Sequence, residues 1–90
     1  MQSYLVETYA SRTRAHDAPG AADRVRAAAE ELSREGAAIR YVRTTYLPDD
    51  ETCFHLFEAN SADAVEQACE RAALGNVRIV AAIEEARRPG

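Results

Sequence analysis

Two cysteines in 90 residues are too few for a disulfide framework, and they point to a reducing, cytoplasmic setting. No apolar stretch approaches the roughly 18 residues of a membrane span. The N-terminal "MQSYLVETY" has no basic segment followed by an apolar run, so no signal peptide is expected. Basic residues are not concentrated anywhere. Eleven Lys and Arg stand against fifteen Asp and Glu, mixed along the chain, for a net charge of −4. Phosphate binding needs a basic face, so nucleic acid is excluded as the main partner. Internal repeats, low-complexity segments and strong catalytic motifs are all missing.

What is present is the material of one small soluble domain. The chain is 47% hydrophobic and 29% charged, and two domains would each be too short to bury a core. A single domain over residues 1–86 is expected, with 87–90 a loose tail.

Residues 3–9, "SYLVETY", are β-branched and aromatic and predict a first strand. A loop with Pro19 and Gly20 as breakers follows. In residues 21–36, Ala21, Val25, Ala28, Ala29 and Leu32 repeat at the spacing of one helix face, and Gly36 supplies the stop. Residues 38–47 predict a second strand, "PDDE" a turn, and "TCFHLFEA" a third strand paired to the second as a hairpin. Ser61 is placed to cap a second helix whose buried stripe is Val65, Ala68, Cys69 and Ala72, ended by Gly75. "NVRIVAAIEE" predicts a last strand. The order β-α-β-β-α-β is that of an α+β, ferredoxin-like fold, a four-stranded antiparallel sheet with two helices on one face.

Both faces of that sheet are apolar. Tyr4 and Val6 oppose Leu5 and Tyr9; Cys53, His55 and Phe57 oppose Phe54 and Leu56; Val77, Ile79, Ala81 and Ile83 oppose Val80 and Ala82. Two helices cover one face only, so the other is expected to pack on a second copy about a two-fold axis, giving a homodimeric α/β barrel.

Polar residues interrupting the apolar strands are therefore the candidate site. Glu7 shares a face with Leu5, and Glu58 shares one with Leu56. Central strands one and three are expected to bring these carboxylates near each other, with Arg43 and Arg78 in reach. Burying a carboxylate unpaired costs several kcal/mol. The cluster is thus either an interface salt-bridge network or a polar, ligand-binding pocket. Tyr41 is expected on the same strand face as Arg43, lining the same site.

Cys53 and His55, two apart on one strand, suit a soft or borderline divalent metal such as Zn or Ni. A metal needs three or four ligands, which a two-fold axis would supply by doubling the pair. Packing of a buried thiol and a hydrogen-bonded core histidine is the competing reading. A Cys–His nucleophile is a further one, although no orienting group is legible beside it.

The Val6-Glu7 pair, the Tyr41-x-Arg43-Thr44 run, the Phe54-x-x-x-Glu58-Ala59 strand end and Arg78-Ile79 resemble a family of small bacterial ferredoxin-like proteins of unknown function that includes a nickel-binding protein. The resemblance runs over nearly the whole chain. It implies a ferredoxin-like fold, a dimer, and metal binding with nickel as the ion. At Arg43, where relatives often carry His, this chain has a guanidinium that stays protonated and ligates no metal. These observations together lead to the expectation of a homodimer that binds a small ligand or metal ion without catalysis. The alternative is a small dimeric α/β-barrel enzyme, monooxygenase- or isomerase-like, acting on a small organic substrate. That alternative rests on fold alone.

Overall fold

The computed structural model describes residues 1–11 and 18–85. Six elements follow in the order β1 (Gln2–Tyr9), α1 (Ala18–Arg34), β2 (Ile39–Leu47), β3 (Thr52–Ala59), α2 (Ala62–Arg71) and β4 (Arg78–Ala82). The strands form one antiparallel sheet in the order β2-β3-β1-β4, with β1 and β3 at its centre. This is the ferredoxin-like order. The tail at 87–90 and His16 lie outside the described residues.

Alternation along the strands sorts the sheet into two surfaces. Tyr4, Val6, Ile39, Phe57 and Ala59 join Val25, Ala28, Ala29 and Leu32 of α1 and Val65, Ala68, Cys69 and Ala72 of α2 in one buried cluster. Both helices therefore cover the same face. Leu5, Phe54, Glu7, Glu58, Arg43 and Val80 belong to the opposite face, which no element covers. Among the described residues no helix is long and apolar enough to cross a membrane.

Local chemistry sets the element ends, with several departures from the expected boundaries. Helix α1 begins at Ala18, so Pro19 and Gly20 are helical where a loop is expected. Proline fits the first turn because its missing N–H would have no intrahelical partner there. The far end of α1 closes as a Schellman motif: Ala37 N–H donates to the Leu32 carbonyl at 3.0 Å and Gly36 N–H to that of Ser33 at 3.1 Å. Gly36 takes φ +102°, which glycine adopts without a Cβ clash.

Ser61 occupies the N-cap of α2 in extended conformation, but its side chain makes no capping hydrogen bond. Helix α2 also ends before Gly75. Ala73, at φ +54°, holds the left-handed position, with Leu74 N–H on the Cys69 carbonyl at 3.2 Å. Strand β4 is half the expected length, five residues.

Two arginines tie the helices together. Arg71 of α2 donates to Glu31 of α1 at 2.5 Å and to Glu35, just past the end of α1, at 2.7 and 2.8 Å. That guanidinium holds the Glu35 carboxyl below its usual range. Arg24 of α1 donates to the Ala72 carbonyl at 3.0 Å, satisfying an acceptor at the end of α2.

Candidate functional site

The pairing of β2 with β3 slips by one residue between Tyr41 and Arg43. Tyr41 faces Phe57 and Arg43 faces Leu56, leaving Val42 as the extra residue of a β-bulge. The two sides of the strand exchange roles at this point. Tyr41 and Thr44 lie on the helix-covered face, while Arg40 and Arg43 lie on the open one. Tyr41 therefore does not share a face with Arg43, contrary to strict alternation.

The register then defines the open face row by row. Arg43, Leu56, Leu5 and Val80 stand side by side across the four strands, and Thr45, Phe54, Glu7 and Arg78 form the next row. Glu58 faces Ser3, four residues along β1 from Glu7. That offset is about 13 Å at the strand rise, so the two carboxylates are not neighbours. Each has its own cation instead. Glu58 pairs with Arg40, and Glu7 lies 3.9 Å from Arg78. Arg43 reaches neither carboxylate; it lies 3.8 Å from Glu84, just past the end of β4.

Between these pairs the open face is apolar. Leu5, Phe54 and Leu56 floor a cavity of about 270 Å³ walled by Arg43, Thr45 and Glu84. Leu56 is only 4% exposed although no secondary-structure element covers it. It lines the cavity together with Arg43 and Glu84.

His55 points the other way. It is fully buried on the face against which the helices pack, the one polar side chain among the described buried residues and one that ordinarily titrates near neutrality. Its Nδ1 lies 2.7 Å from Thr44 Oγ1, which in turn lies 2.7 Å from the Tyr41 hydroxyl. Its Nε2 lies 3.8 Å from Cys53 Sγ. Every polar atom of this buried row has a partner. Burial, and then the charge of Arg24, push the imidazole pKa down to about 4. Burial also pushes the Cys53 thiol up, so the pair is a neutral imidazole beside a neutral thiol. A thiolate–imidazolium nucleophile would need the reverse shifts.

As a metal centre, Cys53 and His55 offer two donors. Among the described residues no three His, Cys, Asp or Glu side chains converge into a group able to hold a metal ion. A two-fold axis through the open face would not double this pair, because the sheet lies between the pair and that face. Cys69 is buried in α2 as expected, its thiol pushed up to about 11 by burial and by the charges of Glu66 and Glu70.

Comparison with known proteins adds nothing to this geometry: no family model matches the chain, and neither the curated proteins nor the solved structures yield a match.

Of the expected site residues, the structure places Glu7, Glu58, Arg43 and Arg78 on the open face, and Tyr41, Cys53 and His55 on the covered one. Thr44, Arg40, Glu84 and Arg24 are the partners that sequence reasoning missed. Arg40 becomes visible only once the bulge is known, whereas Thr44 needs the register counted back from the turn. Glu84 lies beyond the regular part of β4, where alternation gives no guide.

Proposed function

We propose that this chain is a small-ligand-binding protein acting as a homodimer, two copies closing their open sheet faces into an α/β barrel. The observation that carries this reading is the make-up of the open face. Its centre, Leu5, Phe54, Leu56 and Val80, is apolar, and its three ion pairs contribute three arginines and three glutamates. A face of balanced charge on a chain of net charge −4 lets two copies approach there without net repulsion. Pairing about a two-fold axis brings a mixed-charge face against its own copy, so glutamates of one copy have arginines of the other available to them. The cavity of each copy would then form half of an enclosed chamber.

Sedimentation equilibrium of the wild type and Phe54→Glu at micromolar concentration tests the assembly. The expected result is a two-chain mass for the wild type and a one-chain mass for the variant. A one-chain wild type up to the highest soluble concentration would overturn it.

A second reading, divalent-metal binding, has behind it only the two donors Cys53 Sγ and His55 Nε2, 3.8 Å apart. Elemental analysis of untagged protein, with nickel and zinc titrations of wild type and His55→Ala, decides it. Stoichiometric metal that disappears with His55 would favour a ligand pair, and identical behaviour of the two proteins would remove it.

A further inference from the structure

The three ion pairs of the open face are not equivalent. Arg40 grips Glu58 closely at the rim, and Arg78 projects beside Glu7, 3.9 Å from its carboxylate. Arg43 alone lines the apolar cavity. Its single contact with Glu84 is 3.8 Å, well beyond the 2.7–2.9 Å of a charge-assisted hydrogen bond. Among the described residues it has no hydrogen-bond partner, so the planar fork is left with its donors unused. A guanidinium of this kind is suited to a carboxylate approaching with two parallel N–H···O bonds. The geometry Glu84 leaves unfilled stands directly beside Leu56, in the same row as Leu5, and one row from Phe54.

We propose that this cavity binds a small amphipathic carboxylic acid, its carboxylate on Arg43 and its apolar chain on Leu5, Phe54 and Leu56. Glu84 is the stand-in anion that the ligand displaces. The exchange is easy because both partners are well exposed, 61% and 46%, and such a pair is weak in water. The apolar floor supplies the affinity, and Arg43 selects the head group. A neutral head of the same chain length leaves the guanidinium with only Glu84, and a cationic head meets it with repulsion. The site rests on reading the open face as the ligand chamber, and it names the class of ligand for that chamber.

Titration of ¹⁵N-labelled wild type with octanoate, octanol and octylammonium at pH 7.5, followed by amide shifts, is the test. Octanoate is expected to shift the amides of Leu5, Phe54 and Leu56 and to bind about tenfold more tightly than octanol. Octylammonium is expected not to bind. Glu84→Gln removes the competing carboxylate and should tighten octanoate binding. Arg43→Gln should abolish the preference for octanoate over octanol, and as an exposed surface residue it should leave the fold intact. Equal binding of octanoate and octanol by the wild type, a preference surviving in Arg43→Gln, or shifts confined to other surfaces would overturn the proposal. Sedimentation of the same samples separates the two ideas. A dimer that ignores octanoate sinks the ligand and keeps the assembly, whereas a monomer with octanoate on Leu56 does the opposite.

Discussion

Thr44 Oγ1 and His55 Nδ1 lie 2.7 Å apart across the β2–β3 ladder, on the sheet face against which the helices pack. The hydroxyl belongs to an edge strand and the imidazole to a central one, and the contact fixes the ring where no water reaches it. One nitrogen is thereby matched by an oxygen of a neutral side chain, the other by a thiol. Neither partner carries a negative charge, so nothing in the row offsets the cost of a buried imidazolium.

Stability should consequently depend on His55 in mildly acidic solution. Its pKa is about 4 when folded, against an ordinary 6.5. Between these values the unfolded chain binds a proton that the folded chain refuses, so stability is full above pH 6.5 and falls as pH drops towards 4. The expected loss is about 3 kcal/mol. Glu35, whose carboxyl is held low by Arg71, loses its contribution only as pH falls below the ordinary carboxylate range, outside most of this window. Urea unfolding at pH 7.5, 6.0 and 5.0 should show the decline in wild type and a flatter profile in His55→Gln. A wild-type profile as flat as the variant's would show that the imidazole can ionise in place.

Ala73 is a stored strain that one substitution should release. An alanine at φ +54° crowds its Cβ against the backbone, at a cost of about 1–2 kcal/mol. Glycine removes the clash but adds freedom to the unfolded chain, worth about 0.4–1 kcal/mol. Ala73→Gly should therefore raise stability by about 0.5–1 kcal/mol, and Ala73→Val should lower it. Side-by-side urea melts of the three proteins measure this, and a glycine variant less stable than wild type would contradict it.

Both thiols should be silent in the folded protein. Cys53 and Cys69 are 2% and 4% exposed, and burial raises the pKa of each. A chromogenic disulfide reagent at pH 7.5 should react with neither until denaturant is added, and then with two per chain. Prompt labelling of one thiol without denaturant would mean that a helix opens easily over it.

The fold was legible because its signals are local. The helix periods in α1 and α2, the turn at Pro48–Glu51 and the alternation in β1 and β3 each act over a few residues, and all agree on one topology. The candidate site was legible only in part. Placing Glu7 and Glu58 on one face needs alternation alone, but judging their separation needs the register. Their pairing with particular arginines needs the bulge as well. Counting back from the turn pairs Leu47 with Thr52 and Arg43 with Leu56, and continuing the count would set Tyr41 against Glu58. The slip at Val42 sets Arg40 there instead. Nothing in "RYVRTT" marks it, since valine is a good strand former in any register. The covered face decides the matter: without a bulge, either Tyr41 would leave the core or Arg43 would enter it, at the cost of a buried charge.

Deleting a residue from a strand normally turns every side chain beyond it to the wrong face. Val42 should be the exception. It is 37% exposed and has no partner of its own in the β2–β3 ladder. Its removal leaves Ile39, Tyr41, Thr44 and Tyr46 pointing at the helices and Arg40, Arg43 and Thr45 pointing away, in plain alternation. The deletion should cost no more than about 1 kcal/mol, within the range of ordinary single changes, and the Thr44–His55 contact should survive. Deleting Thr45, three positions on, has no such relief. It would turn Tyr46 from the covered face and carry Leu47 inward in its place. A cooperative urea transition for the Val42 deletion, with loss of it for the Thr45 deletion, is the expected result. Equal damage from the two deletions would mean that Val42 holds the edge strand by its own packing, and that the bulge is not what places Arg43 over Leu56.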